Sequence, residues 1–150
     1  MKKQAHIITI SVYVYEDEND TKTAEALTEF LPENFEDEKI QINVDKAKIL
    51  EGENMTLFSV ALSKDRHIRQ TLEKLKECLG VEQCATIASQ KNRVDADGNL
   101  FIRIDKEKIE NDGAAVLTDG GKCFHFKIVL AAYPKSRENA IKVMKELFGQ

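Results

Sequence analysis

Phe101, Arg103 and Lys106 lie within six residues of one another, in the stretch of this sequence whose side chains are best suited to chemistry. An aromatic ring can stack on a nucleobase, and a guanidinium or ammonium group can bind a phosphate. Asp105 lies between the two cations and could orient the guanidinium of Arg103. Equally, Arg103 and Asp105 could form a structural ion pair that stabilises a sheet edge, since residues two apart on a strand share a face.

Two further groups of residues suit the same chemistry. The first consists of Tyr13, Tyr15, His125 and Lys127, all at outward positions of predicted strands. If those strands are neighbours of the one that carries Phe101 and Arg103, the rings and charges form a platform for stacked bases and phosphates. Cross-strand aromatic packing and solvation are the alternative explanation.

The second group lies at the start of a predicted helix and in a later loop. It consists of Lys64, Arg66, His67, Arg69, Lys91 and Arg93. Main-chain NH groups at a helix start favour phosphate, and flanking cations would strengthen that binding. The alternative is an ordinary solvated helix face.

Phe101 and Arg103 lie on a predicted strand at residues 99–105. Leu100, Ile102 and Ile104 alternate with Phe101 and Arg103, which predicts one aliphatic face and one mixed face. The dipeptide Asp97-Gly98 predicts a tight turn before this strand, because glycine tolerates the positive φ that such turns require.

Similar periodicities predict the remaining elements. They are a strand at 6–16, a helix at 20–31, strands at 38–50 and 55–62 joined by a turn at 51–54, a helix capped by Ser63 and ended by Gly80, a short helix at 81–90, a helical turn at 106–110, a hairpin of 115–118 with 123–132, and a last helix capped by Ser136. This order indicates a single α+β domain over residues 1–150, with helices on one face of a twisted, mostly antiparallel sheet.

Composition limits the possible functions. With 42% hydrophobic and 32% charged residues the chain is globular, and it has no apolar run long enough to span a membrane. We expect a cytoplasmic protein. The three cysteines and three histidines are scattered, so no metal or cofactor site is predicted, and no nucleophile and base can be assembled into a catalytic group. The sequence therefore predicts a binding protein and not an enzyme.

The segment from Gly98 to Glu107, Gly-Asn-Leu-Phe-Ile-Arg-Ile-Asp-Lys-Glu, is followed by a long strand that ends in Ala132-Tyr133-Pro134 and by a closing helix. These features resemble a family of small archaeal RNA-binding proteins that are predicted to be exosome-associated subunits. The resemblance implies RNA as the partner, a link to RNA-processing complexes, and the fold of the ribosomal large-subunit protein that holds the 5S RNA. The family's Gly-His-x-Gly-Asn-Pro stretch is replaced here by residues 51–55.

The distribution of charge leaves a second function open. The net charge is −4, but residues 1–50 carry 6 basic and 11 acidic side chains, whereas residues 101–150 carry 9 basic and 7 acidic ones. The second half can therefore present a basic patch. The acidic first half, at 16–20 and 33–38, could instead dock on a basic protein partner, which would make the chain a protein-interaction module.

Overall fold

The fold is a five-stranded antiparallel sheet with helices packed on one face. In the computed structural model, residues 3–48, 52 and 54–149 are described. The elements are β1 (Ala5–Tyr15), α1 (Asp20–Thr28), β2 (Asn43–Lys48), β3 (Asn54–Leu62), α2 (Asp65–Ser89), β4 (Asn99–Asp105), α3 (Lys106–Asp112), β5 (Cys123–Leu130) and α4 (Arg137–Phe148). The α+β architecture predicted from the sequence is confirmed.

The strands lie in the order β2-β3-β1-β5-β4, and every adjacent pair is antiparallel. This order places β5 between β1 and β4, although β1 and β4 are far apart in the chain. In the registers of these pairs, Ser11 lies opposite His125, and His125 lies opposite Arg103. The sheet therefore aligns three strands that carry predicted site residues.

The core lies between the sheet and the helices. Leu100, Ile102 and Ile104 are fully buried there, as the alternation in the sequence predicts. Phe30, just after α1, packs against Phe124 and Phe126 of β5, with ring centroids 6.0 and 5.0 Å apart. The same period of two that buries these side chains turns their neighbours along each strand to the opposite face of the sheet.

Helix α2 is kinked at Gly80, whose φ of 79° and ψ of 169° are not helical. The predicted boundary between a long helix and a short one is therefore confirmed. The predicted N-cap is wrong, because Lys64 occupies the cap position and no side chain caps this end. Ser63 directly follows β3 and belongs to the connection between strand and helix.

The strand predicted at 38–50 is shorter than expected and begins at Asn43. Backbone hydrogen bonds from Glu38 to Asn34 and from Ile40 to Phe35 close a turn instead. Ile40 and Ile42 still pack against the core, so their hydrophobic alternation reflects burial and not strand structure. The predicted antiparallel pairing of this shorter strand, β2, with β3 is confirmed. The predicted turn at 51–54 includes positions 51 and 53, which lie outside the described residues.

The predicted hairpin of 115–118 with 123–132 is wrong. Residues 115–118 lie along the outer edge of β4, where Leu117 pairs with Ile104 and the backbone NH of Thr118 donates to the carbonyl of Arg103 at 3.0 Å. The reason is that β1 and β4 already occupy the two sides of β5. The chain between Asp119 and Lys122 therefore passes from the outer side of β4 to the start of β5.

Within the described residues, no helix is both long enough and apolar enough to cross a membrane.

Candidate nucleic-acid interface

The sheet face opposite the helices carries most of the residues predicted from the sequence. Tyr13 and Tyr15 lie on β1, His125 and Lys127 on β5, and Phe101 and Arg103 on β4. Arg103 pairs with His125 across the strands, and Phe101 pairs with Lys127. Side chains opposite each other in an antiparallel pair lie within contact distance, so these four residues are neighbours. Tyr13 and Tyr15 line one cleft together with Arg103 and His125, and the β1-β5-β4 part of this face therefore carries all six residues. We call this part of the face the platform.

Arg103 and His125 form the central contact of the platform. The Nε of Arg103 donates a hydrogen bond to Nε2 of His125 at 3.1 Å. Partial burial and the positive charge of Arg103 lower the pKa of His125 below its ordinary value. The imidazole is therefore neutral at pH 7, with its proton on Nδ1, and the two terminal nitrogens of Arg103 remain for a ligand.

Aromatic rings lie beside this pair. The ring of Phe101 meets His125 edge to face, with centroids 6.3 Å apart. Tyr13 is 48% exposed, although it lies in the middle of the sheet. Half-exposed rings on a flat surface offer faces on which unpaired bases can stack.

Three cations on or beside the platform form no close ion pair. Within the described residues, Arg93, Arg103 and Lys127 have no carboxylate within 4.0 Å. Arg93 lies beside β4, where its Nη1 donates to the carbonyl of Phe101 at 3.3 Å. Burial lowers the pKa of Arg93, and the positive charge of Arg103 lowers it further, whereas the negative charge of Asp119 raises it. The three side chains therefore lie close enough to interact electrostatically.

A cleft of about 420 Å³ opens where the platform meets the loop at 119–122. Tyr13, Arg103 and His125 line it from the sheet, and Asp119 and Lys122 line it from the loop. The ammonium of Lys122 lies 4.9 Å from the ring centroid of Tyr15 and 3.5 Å from a carboxylate oxygen of Glu18. Lys122 and Asp119 were not predicted from the sequence, because only the path of this loop past β4 brings them to the face.

Lys106 does not lie on the platform, which corrects the prediction that it contacts RNA. Its side chain is only 2% exposed, and its ammonium donates to Glu18 at 2.8 Å and to the carbonyl of Tyr13 at 2.9 Å. Burial tends to raise the pKa of Glu18, but the hydrogen bonds from Lys106 and from the backbone of Tyr15, with the charges of Lys106 and Lys122, lower it overall. Lys106 therefore joins β4 and α3 to β1 as a structural residue.

Asp105 takes a different role from either of the two considered. Its Oδ1 accepts a hydrogen bond from the backbone NH of Lys108 at 3.0 Å, so it caps α3. It neither orients Arg103 nor forms an ion pair with it. A carboxylate at a helix start is stabilised by the unpaired NH groups there.

The structure divides the second predicted group. Arg66 and Arg69 lie on α2, in the helical layer behind the sheet, and Arg66 forms an ion pair with Glu38. His67 is 4% exposed and lies 3.6 Å from the same carboxylate. Lys91 and Arg93 belong to a short 3-10 turn beside β4. Of this group, Arg93 therefore adjoins the platform, while Arg66 and Arg69 do not.

Comparison with known proteins gives a consistent result. A model of the family described as RNA binding matches residues 7–130. An RNA-binding protein of Pyrococcus abyssi is 27% identical over 146 residues, which cover 97% of this chain and 94% of that protein.

Two solved structures are similar along nearly the whole chain. A protein of Archaeoglobus fulgidus is 34% identical with a TM-score of 0.82, and the match covers 95% of this chain and 99% of that one. A protein of Methanothermobacter thermautotrophicus is 28% identical with a TM-score of 0.78, and the match covers 97% of this chain and 98% of that one.

Proposed function

The chain belongs to this family of RNA-binding proteins, and from that membership we propose that it binds RNA through the platform on the β1-β5-β4 face. In this proposal Arg103, Lys127 and Arg93 bind phosphates, and Phe101 and Tyr13 stack on bases. The protein acts as a binding protein and not as an enzyme.

The observation that carries the proposal is the position of three cations beside exposed rings. Within the described residues, cations of the helical layer such as Arg69 also have no carboxylate within 4.0 Å, so a missing ion pair alone does not mark the site. Arg93, Arg103 and Lys127 differ from them because they lie beside aromatic rings, on or next to the face that the helices leave uncovered. Phosphate oxygens would supply the missing anions, and bases attached to the same strand would cover the rings.

A matched pair of arginine variants tests the proposal. Arg103→Ala and Arg69→Ala remove the same charge from exposed positions, the first on the platform and the second on α2. We expect Arg103→Ala to weaken RNA binding roughly tenfold, since a charge-assisted hydrogen bond contributes about 1.5 kcal/mol or more. Arg69→Ala should leave affinity nearly unchanged. Fluorescence anisotropy with labelled RNA measures both.

Equal losses in the two variants would mean that RNA contacts a diffuse basic surface that includes the start of α2. No binding by the wild-type protein, even at low salt, would remove the proposal altogether.

The resemblance in the 98–107 segment supports two finer proposals. One is that the protein works with RNA-processing machinery in the cytoplasm, in association with an exosome-like complex. The other is that its sheet and helices share the fold of the ribosomal large-subunit protein that holds the 5S RNA. Purification of a tagged copy after nuclease treatment tests the first, because a complex held by protein contacts would survive loss of the RNA.

The protein-interaction alternative draws less support from the structure. Two acidic side chains of the first half are engaged within the chain, Glu18 with Lys106 and Lys122, and Glu38 with Arg66. Docking of a basic partner on the acidic segment would have to compete with these contacts.

A further inference from the structure

The platform is not uniform along the strands, and this difference bears on the kind of RNA it accepts. At one end, Thr9, Lys127 and Phe101 lie side by side across β1, β5 and β4 and are not part of the cleft lining. At the other end, the loop at 119–122 forms a wall, and the cleft lies between this wall and the strands. A ligand can lie flat on the first part, but it must insert a group to fill the second.

The cleft combines a ring with groups that bind anions. The half-exposed ring of Tyr13 and the side chain of Arg103 belong to the same lining. Asp119 and Lys122 also line the cleft, and Lys122 is paired with Glu18. The neutral His125 fixes the guanidinium through Nε, so the planar group is oriented before a ligand binds. The volume of the cleft, about 420 Å³, falls within the range of roughly 300 to 1,000 Å³ that is typical of small-molecule sites.

Resting on the proposed function, we propose that this cleft holds one unpaired nucleotide of the RNA, with its base against Tyr13 and its phosphate bound by the terminal nitrogens of Arg103. The protein then selects single-stranded RNA, or folded RNA with an unpaired loop, over continuous duplex. In a duplex the bases are stacked and paired inside the helix, so none can enter a walled cleft without being unpaired.

Tryptophan fluorescence offers a direct test, because the chain contains no tryptophan. Tyr13→Trp places a single reporter in the cleft, and stacking of a base should quench its emission. Tyr133→Trp is the matched control, since Tyr133 is 96% exposed and lies outside the cleft. Both variants are titrated with a single-stranded 12-mer RNA, with the same strand in a blunt duplex, and with a hairpin that has the 12-mer sequence in its loop.

We expect the single strand and the hairpin to quench the reporter at position 13 and to bind at least tenfold more tightly than the duplex. The control reporter at 133 should show a much smaller change. In anisotropy measurements Tyr13→Ala should weaken single-strand binding by about fivefold to a hundredfold, while Tyr13→Phe, which keeps the ring, should bind like the wild type. Thermal melting checks that both variants are folded.

The other possible outcomes distinguish failure of the cleft inference from failure of the proposed function. Duplex binding as tight as single-strand binding, without quenching at position 13, would overturn the cleft inference and leave the RNA-binding proposal intact. Single-strand binding that is unaffected by Tyr13→Ala would also overturn it. Absence of binding to all three RNAs would remove the proposed function itself.

Discussion

Arg103 and Lys106 are three residues apart, yet their side chains lie in different environments. Arg103 occupies an outward position of β4, where no carboxylate of the described chain lies within 4.0 Å. Lys106 begins α3, and its side chain turns inward beneath β1 to meet Glu18 and the carbonyl of Tyr13. One cation is thus left for a ligand, and the other holds the sheet and a helix together.

Lys106→Met should destabilise the protein by about 2–4 kcal/mol, because it leaves Glu18 and a main-chain carbonyl without their buried partner. Urea denaturation followed by circular dichroism measures this change. Lys108→Ala is the matched control, since Lys108 lies in the same helix and is exposed. It should change the free energy of unfolding by less than about 0.5 kcal/mol. Similar small losses in both variants would show that Lys106 has no structural role.

His125 should make RNA binding depend on pH. Its unprotonated Nε2 accepts the hydrogen bond that orients Arg103, and a protonated imidazole has no acceptor for that bond. Affinity should therefore fall as pH is lowered below the ordinary histidine pKa of about 6.5, and partial burial and Arg103, which lower the pKa of His125, move this loss to lower pH. His125→Gln should flatten this dependence. Anisotropy at constant ionic strength measures it, and a wild-type profile as flat as that of the variant would place His125 outside the interface.

Stability should respond to pH in the same direction. The unfolded chain has an ordinary histidine pKa of about 6.5, while that of folded His125 is lower. As pH falls through about 6.5, the unfolded state binds a proton more readily than the folded state, so the contribution of His125 to stability declines. Acidification therefore weakens both the fold and RNA binding at this residue.

At the level of elements, the outer edge of β4 decides the shape of the interface. The backbone NH of Asp105 donates to the carbonyl of Val116, and the NH of Thr118 donates to the carbonyl of Arg103. These hydrogen bonds occupy the edge of β4 and protect it from pairing with another chain. The four residues after Thr118 cross above the strand ends and form the wall of the cleft. A segment that closes a sheet edge therefore also shapes the site.

Gly80 sets the relation between the two parts of α2. Its φ of 79° and ψ of 169° lie in a region that is nearly restricted to glycine. Gly80→Ala should destabilise the protein by about 1–3 kcal/mol, which chemical denaturation can measure. Gly120→Ala is the control, because Gly120 has no positive φ and an added Cβ would meet no atom within 4 Å. Equal effects at the two sites would rule out backbone strain as the cause.

At the scale of the whole molecule, an acidic protein carries a basic platform. The net charge of −4 means that long-range attraction to RNA is weak. Binding then depends on a few close contacts, which the cations and rings of the platform supply.

The salt dependence of binding should reflect this small number of contacts. With three platform cations and a factor of about 0.7 for each single-stranded phosphate, the slope of log K against log salt concentration should be about −2. Arg103→Ala should reduce its magnitude by about 0.7. A slope steeper than about −5 in a salt titration would indicate many more phosphate contacts than the platform provides.

Local periodicity determined much of this fold. The alternation of Leu100, Ile102 and Ile104 with Phe101 and Arg103 places the first three in the core, because successive side chains on a strand point to opposite faces. Phe124 and Phe126 follow the same rule on β5, where both are buried and alternate with the outward residues His125 and Lys127. This rule could also assign the platform residues to an outward face, but not to neighbouring strands.

Tertiary structure alone decided which residues share the site. Strand order is set by long-range packing, so only the fold shows that His125 lies opposite Arg103, or that Arg93 joins them while Arg66 does not. It also decided that Lys106 is buried, since a lysine's charge can be satisfied by a carboxylate 88 residues away as readily as by solvent. Sequence patterns describe the local direction of a side chain, whereas the partners it meets depend on the path of the whole chain.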